Sequence, residues 1–295
     1  MKHLKGNLYL TFTAFIWGIA FVAQSVGMDY VGPFTFNCVR SFIGGIVLIP
    51  AIFLLKKFHF IEDTSSQSSS KMLIIGSICC GIALGIASTI QQIGIKYTSP
   101  GKAGFITALY IVIVPIIGIF FKKKPSIKLW ISVFIALIGM YLLCITEKFT
   151  IGSGDICVLI SAFAFSIQIL AVDYFSPRVE GIKLACIQFF VAGSVAGIGM
   201  ILFESPNLSS IFAAAIPLLY AGIFSSGLGY TFQIIGQKYT SPTEASLLMS
   251  LESVFSLFGS FIILHEVLSS KELIGCALVF VAIILTQIPT KKGSN

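Results

Sequence analysis

Charged residues are scarce in this sequence of 295 residues, and their scarcity excludes most classes of soluble protein. Only 19 Lys and Arg and 12 Asp and Glu are present, which is 11% of the chain, while 56% of the residues are hydrophobic. A soluble domain of this length carries about 25% charged residues, most of them on its surface. The composition therefore predicts a protein that crosses a membrane several times.

Residue patterns for metal, nucleotide and disulfide chemistry are also lacking. The three histidines, His3, His59 and His265, lie outside the apolar stretches and form no His-Glu-x-x-His motif. The seven cysteines are odd in number, lie in apolar stretches and contain no Cys-x-x-Cys pair, so we expect core thiols rather than a disulfide framework. No glycine-rich phosphate loop is present. We expect no metal, no cofactor and no direct use of ATP.

Long apolar stretches take up most of the chain. Each is close to the roughly 20 residues that a membrane-spanning helix needs, and each is apolar on all sides rather than at every second residue, which favours helices over a β-barrel. The first stretch is not followed by a small-residue cleavage site, so we expect a retained helix and not a signal peptide. The sequence predicts an all-α integral membrane protein with ten transmembrane helices, near 8–27, 33–55, 72–94, 102–121, 129–146, 155–174, 183–203, 210–236, 243–264 and 272–288.

The distribution of Lys and Arg predicts the orientation of the chain. With a cytoplasmic N-terminus, ten spans return the C-terminus to the same side. The basic residues outside the spans then lie mostly in the cytoplasm, and only Lys96, Lys102, Lys148 and Lys271 lie outside, as the positive-inside rule requires. The net charge of +7 is thereby explained by contact with anionic lipid, without nucleic acid. We expect a multi-pass protein of the cell (plasma) membrane and leave a homodimer open.

One segment of the sequence occurs twice. Residues 93–100 match residues 235–242 at seven of eight positions, 142 residues apart, and both copies contain Tyr-Thr-Ser-Pro. A weaker match relates Gly6–Ala23 to Gly154–Ala171, 148 residues apart. We interpret the chain as two five-helix repeats, 1–148 and 149–295. Because five is odd, the repeats have opposite orientations in the membrane, an arrangement typical of secondary transporters with a substrate site between the halves.

Short motifs are spread over nearly the whole chain: Phe15-Ile16-Trp17-Gly18, Arg40-Ser41-Phe42, the two Tyr-Thr-Ser-Pro-x-x-Ala turns, Leu251-Glu252-Ser253-Val254, His265-Glu266-Val267-Leu268 and Gly275. In their order and spacing they resemble the EamA-type transporters of the drug/metabolite transporter superfamily. The resemblance implies a ten-helix carrier that works by alternating access and often exports amino acids or other small metabolites. It also implies that helices 1, 3, 4, 6, 8 and 9 face the central cavity. The chain departs from the family at Ser253, where proline is usual, and at Lys122–Lys124, where an acidic residue is usual.

Two charged residues, Arg40 and Glu252, lie well inside apolar spans. A charge at the centre of a membrane helix costs roughly 2.5–3.5 kcal/mol on insertion scales, so both should face protein or water. Their expected depths are similar enough for an ion pair. Two interpretations stand side by side: a structural pair, or a site in which Glu252 takes up a proton or a substrate amine and Arg40 attracts a substrate carboxylate.

Further polar and aromatic residues within the spans are candidates for the substrate or proton path. Amides and ring hydroxyls hydrogen-bond across helices as often as they bind ligands, and a serine beside the carboxylate supplies a hydroxyl group. Pro115 and Pro217 are candidate kinks. The remaining candidate site residues are Trp17, Gln91, Tyr110, Gln168, Tyr230, Gln233 and Ser253.

Two alternatives to a carrier of small polar metabolites are an intramembrane hydrolase and a membrane interaction protein without transport activity. Gly152-Ser153-Gly154-Asp155 has the Gly-x-Gly-Asp form of intramembrane aspartyl proteases, but that chemistry needs a second, facing aspartate, and no span supplies one at its centre. Asp155 is better explained as a carboxylate at a helix N-terminus. The hydrolase predicts loss of activity in Asp155→Ala, whereas the carrier predicts little effect.

Overall fold

The structure is a computed structural model that describes residues 2–57, 70–122, 125–144, 151–263 and 269–287, and this part of the chain is helical throughout, apart from short turns. The helices are α1 (Lys2–Gly27), α2 (Pro33–Lys57), α3 (Ser70–Ile95), α4 (Pro100–Ala108), α5 (Tyr110–Phe120), α6 (Ile127–Cys144), α7 (Ser153–Phe175), α8 (Gly181–Phe203), α9 (Leu208–Ala213), α10 (Ala215–Leu219), a π-helix (Tyr220–Gly229), α11 (Tyr230–Gln237), α12 (Pro242–Met249), α13 (Leu251–Ile263) and α14 (Ser270–Gln287).

Seven helices or runs of helices in the described residues are long and apolar enough to cross a membrane. They are His3–Gly27, Pro33–Leu54, Ser70–Ile95, Pro100–Phe120, Ser153–Phe175, Gly181–Phe203 and Ala215–Gln237. The other three predicted stretches correspond to α6, to α12 with α13, and to α14. The protein is therefore an all-helical membrane protein.

The duplicated Tyr-Thr-Ser-Pro segments begin α4 and α12 in the same way. The N–H of Lys102 donates to Ser99 Oγ over 3.4 Å, and the N–H of Glu244 donates to Ser241 Oγ over 3.3 Å. In each turn the proline occupies the first helical position, where a missing N–H costs no hydrogen bond. Serine followed by proline is thus a helix-starting signal that both repeats use.

Each of these helices is interrupted at nearly the same position in its repeat. The first breaks at Leu109, between α4 and α5, and the second at Ser250, between α12 and α13. At both breaks an N–H donates to the carbonyl three residues earlier rather than four, as in Leu109 to Ile106 and Ser253 to Ser250. Pro115 lies inside α5, so the interruption precedes the proline that was expected to cause a kink.

Glycines bring helices into close contact at two equivalent crossings. A Cβ atom on Gly94 of α3 would lie 2.7 Å from the Gly154 carbonyl oxygen of α7. A Cβ atom on Gly236 of α11 would lie 3.0 Å from the Gly6 carbonyl oxygen of α1. The repeat spacings relate Gly94 to Gly236 and Gly6 to Gly154, so the same backbone contact is made twice. Close approach through small residues is a usual way for membrane helices to associate.

Replacing Gly154 with alanine is expected to lower the stability of the folded protein, because the new Cβ atom would lie 2.8 Å from the Gly94 carbonyl oxygen. Overpacking of this kind costs about 1–3 kcal/mol. We expect a loss of several degrees in the melting temperature of detergent-solubilised protein. Gly101→Ala is the matched control, since its Cβ would have no neighbour within 4 Å. Equal melting temperatures for the two variants would contradict the role of the crossing.

Candidate functional site

A small buried cavity lies at the centre of the helices, beside both helix interruptions. It is lined by Trp17, Ala20, Phe21, Gln24, Arg40, Gln91, Thr107, Tyr110, Phe165, Gln168, Ile169, Ser225, Tyr230, Gln233 and Glu252. The free volume of the cavity is about 30 Å³, which is enough for about two water molecules. The cavity therefore combines many polar side chains with little free space.

Eight of the nine residues singled out in the sequence line this cavity. They come from α1, α2, α3, α5, α7, α11 and α13. The exception is Ser253, whose Oγ donates over 3.2 Å to the carbonyl oxygen of Gly104. Ser253 therefore connects α13 to α4 and does not border the cavity. Apart from Arg40 on α2, the lining residues belong to the first, third, fourth, sixth, eighth and ninth of the ten predicted spans. These are the helices that the family resemblance implied.

Arg40 is held in place by Asn37, one turn earlier on α2. Its Nε donates to Asn37 Oδ1 over 2.6 Å, and Asn37 Nδ2 donates to the carbonyl oxygen of Ser88 on α3 over 2.8 Å. The Arg40 side chain is 4% exposed, and Asn37 is fully buried. Because Nε is taken by Asn37, the two terminal amino groups are the guanidinium donors that remain for a ligand in the cavity.

Glu252 is hydrogen-bonded to the equivalent residue of the other repeat. The hydroxyl of Tyr110 donates to Glu252 Oε1 over 2.9 Å, and the two residues are 142 positions apart, the spacing of the Tyr-Thr-Ser-Pro segments. Tyr110 is the first residue of α5 and Glu252 is the second residue of α13, so each lies just after the interruption in its helix. The bond leaves Oε2 as the carboxylate oxygen that remains for a proton or a cation.

Of the two interpretations of Arg40 and Glu252, the structural ion pair between them is not formed. Both side chains line the cavity, but within the part of the chain that the structure describes they form no salt bridge within 4.0 Å. Asn37 bonds the cation and Tyr110 bonds the anion. Similar depth along two helices was therefore a correct guide to a shared cavity but not to direct contact, since direction around the helix axis also decides which groups meet.

Aromatic rings and amides form the remaining walls. The Trp17 and Tyr230 rings lie 4.5 Å apart between centroids, and Trp17 Nε1 donates to the Ser225 carbonyl over 3.4 Å in the π-helix. Gln168 and Gln233 exchange two amide hydrogen bonds of 3.4 and 3.1 Å. A π-helix beside a cavity often marks a functional site. The walls thus offer aromatic faces for apolar groups and amides for polar groups.

Several lining residues were not selected from the sequence. Three of them are three or four positions from a selected residue on the same helix, as Phe21 is from Trp17 and Phe165 is from Gln168. Helical periodicity brings such neighbours to one face, so this spacing was the available signal. Ser225 gave no such signal, because it lies in the π-helix, where the period differs from 3.6 residues. The lining residues outside the selected set are Ala20, Phe21, Gln24, Thr107, Phe165, Ile169 and Ser225.

Comparison with known proteins connects this architecture to a transporter family. The profile of the EamA-like transporter family matches the chain twice, at residues 4–145 and 152–288. An uncharacterized transporter of Archaeoglobus fulgidus is 30% identical over 98% of this chain and 87% of its own length. The chain belongs to the EamA-like transporter family.

Other relatives agree with this assignment. The uncharacterized transporter YoaV of Bacillus subtilis is 23% identical, with 94% of each chain covered. A crystal structure of another protein superposes with a TM-score of 0.77 at 18% identity, over 94% of this chain and 95% of that chain, which shows a shared fold. This EamA protein consists of two EamA repeats and is a membrane transporter, not an enzyme, so the hydrolase and interaction-protein alternatives are set aside. The His265–Leu268 part of the resemblance lies outside the described residues.

Proposed function

We propose that this EamA transporter is a secondary carrier that exports small polar metabolites by alternating access, with amino acids as the first class to test. The observation that carries the proposal is the central cavity, in which the buried guanidinium of Arg40 and the buried carboxyl group of Glu252 face the same space and, among the described residues, form no salt bridge with each other. A buried charge without a partner charge is costly. A ligand with a carboxylate for Arg40 and an ammonium group for Glu252 satisfies both residues at once.

The surroundings of the two charges support a zwitterionic ligand. The terminal amino groups of Arg40 match the geometry of a carboxylate, which guanidinium groups bind through two parallel hydrogen bonds. Glu252 Oε2 accepts from an ammonium group, while Tyr110 keeps Oε1 occupied. The rings of Trp17 and Tyr230 provide apolar contact for a side chain. Amino acids have these three parts in one molecule.

The small free volume supports alternating access. The free volume of about 30 Å³ is far too small for an amino acid. Arg40 and Glu252, which line the cavity, are almost fully buried. The described conformation is therefore closed, and a substrate enters only after the helices move apart at one end. Helix interruptions at equivalent positions of two repeats are typical of carriers whose site lies near the membrane midplane.

The membrane arrangement that we propose is ten transmembrane helices in two inverted repeats, 1–148 and 149–295. Both termini lie in the cytoplasm, as the distribution of Lys and Arg favours, and the protein acts in the cell membrane. No partner other than substrate and lipid is needed, and a homodimer is compatible with the exposed apolar helix faces. Epitope tags at the two ends, probed in intact cells, test this arrangement, and termini on different faces would contradict it.

A flux assay tests the proposed function. Purified full-length protein is reconstituted in vesicles loaded with an equimolar mixture of the twenty amino acids, and the release of each is followed by mass spectrometry. We expect at least one amino acid to leave tenfold faster than from protein-free vesicles, with saturation as its concentration rises. Release at the protein-free rate for all twenty would contradict amino acids as the substrate class.

A further inference from the structure

A cluster of three polar residues ties α4 to α7 beyond one end of the cavity. Lys102 Nζ lies 2.5 Å from Asp155 Oδ2, and Thr98 Oγ1 donates to Asp155 Oδ1 over 2.7 Å. Asp155 also accepts from the N–H of Gly152 over 2.7 Å, which confirms its expected role as a helix cap. We call Thr98, Lys102 and Asp155 the Asp155 cluster. Capping of α7 alone does not account for this cluster, because the bonds of Asp155 to Lys102 and Thr98 join segments that are distant in the sequence.

A second cluster ties α1 to α12 in the same way. His3 Nε2 lies 3.4 Å from Glu244 Oε2, Thr240 Oγ1 donates to Asn7 Oδ1 over 3.4 Å, and Asn7 Nδ2 lies 3.4 Å from His3 Nδ1. We call His3, Asn7, Thr240 and Glu244 the Glu244 cluster. Both clusters join the turn before an interrupted helix to the beginning of a helix in the other repeat.

The two clusters occupy equivalent positions in the repeats. The spacing of 142 relates Thr98 to Thr240 and Lys102 to Glu244, and the spacing of 148 relates Asn7 to Asp155. The Gly94–Gly154 and Gly236–Gly6 crossings lie next to the respective clusters. Each cluster therefore lies beside a close contact between the backbones of two helices.

The clusters lie at opposite ends of the helix bundle. Gly6, near the beginning of α1, packs against Thr240 and Tyr239, whereas Gln24, near the end of α1, accepts at its carbonyl from Gln92 of α3, shortly before Thr98. Eighteen residues of helix separate Gly6 from Gln24, which is about 27 Å at 1.5 Å per residue. The cavity residue Trp17 lies between them, so the two clusters lie on opposite sides of the cavity.

The clusters also differ in strength. The Asp155 cluster has short bonds between a carboxylate, an ammonium group and a hydroxyl, and charge-assisted bonds of this kind are about twice as strong as neutral ones. The Glu244 cluster has contacts of 3.4 Å, and its histidine is exposed. The end that carries the N-terminus therefore has the weaker polar contacts between its helices.

We propose that the Asp155 and Glu244 clusters are the two gates of the transport cycle, one for each side of the membrane, and that the gate at the N-terminal end opens more readily. This inference rests on the proposed alternating access. It also changes the effect that we expect of Asp155→Ala, because a carrier with this gate needs the Asp155 carboxylate. Opening one gate while the other stays closed exposes the cavity to one compartment at a time.

Labelling of a single cysteine in the cavity tests the gates without a substrate. The reporter is Ser225→Cys in a full-length background whose seven native cysteines are replaced, and a membrane-impermeant thiol reagent is applied to each side of sealed, oriented vesicles. We expect slow labelling of the parent, faster from the N-terminal side. Lys102→Met and Asp155→Asn should raise the rate at least tenfold from the Asp155 side only, and Glu244→Gln should raise it from the N-terminal side only.

Two controls separate gating from general loosening. Lys102→Arg keeps the ion pair and should label like the parent. Glu180→Gln removes a comparably short ion pair, 2.6 Å to Lys183 within one segment, and should also leave labelling unchanged. Unaltered labelling in the three gate variants, equal increases from both sides, or an equal effect of Glu180→Gln would overturn the gates. Absence of amino-acid flux from vesicles that contain the wild-type protein would instead contradict the proposed function. The labelling experiment needs no substrate, so the two failures can be told apart.

Discussion

Replacing Glu252 with glutamine is expected to lower amino-acid flux at least 100-fold while the protein still folds. Glutamine has nearly the same size and its amide oxygen still accepts from the Tyr110 hydroxyl, so the packing around this 3% exposed side chain is retained. The negative charge that holds a substrate ammonium group or a transported proton is lost. A factor of 100 corresponds to about 2.7 kcal/mol, within the range of a hydrogen bond to a charged group.

The matched control for this variant is Glu272→Gln. Glu272 lies at the beginning of α14, where its carboxylate accepts from the N–H and hydroxyl of Ser269, outside the cavity. We expect flux close to that of the wild type. Vesicle flux and the melting temperature are measured for both variants. A Glu252→Gln protein with a lower melting temperature and wild-type flux would show that the carboxylate is structural.

Replacing Arg40 with glutamine is expected to raise the half-saturating concentration of a transported amino acid about 100-fold. The reason is loss of the two terminal amino groups that bind the substrate carboxylate. The amine formed by decarboxylation of the same amino acid lacks this group, so its binding should change less than threefold. Competition by the amino acid and by the amine, measured in the same vesicles, separates the two effects. An equal loss for both compounds would contradict carboxylate binding by Arg40.

Asn37 provides a finer test of the same contact. Asn37→Ala removes the acceptor that fixes Arg40 Nε, so we expect a loss of about tenfold for the amino acid and little change for the amine. Ser88→Ala is the control, because Asn37 binds the backbone carbonyl of Ser88 and not its hydroxyl. A similar loss in Ser88→Ala would point to general disturbance of α2 and α3 instead of positioning of the guanidinium.

The helical class and much of the cavity were predictable because both depend on local sequence. Apolar stretches of about 20 residues form helices in lipid regardless of their neighbours, and Ser99-Pro100 and Ser241-Pro242 are local signals for a helix start. Polar residues within such stretches are costly in lipid, so they turn toward protein. This rule correctly predicted that Arg40, Glu252 and most of the other candidate residues face the protein interior, where they line one cavity.

Contacts between distant segments were not predictable from the same signals. The possible Arg40–Glu252 pair rested on depth alone. The observed partner of Glu252 is Tyr110, and this contact depends on how α5 and α13 are rotated about their axes. The observed partner of Arg40 is Asn37, three residues earlier on the same helix. Ser253 was assigned to the cavity because it follows Glu252, but successive helix residues point about 100° apart. Its hydroxyl accordingly meets the Gly104 carbonyl.

The amino-acid sequence by itself determined a helical membrane protein with a duplicated pattern, because hydropathy, helix starts and repeats are properties of neighbouring residues. Only the tertiary structure decided which distant residues meet: Tyr110 with Glu252 and Lys102 with Asp155 between the two repeats, and Gln168 with Gln233 within the second. The physical reason is that a polar group within a helix bundle takes the partner that packing brings within about 3 Å, and packing depends on all the helices together.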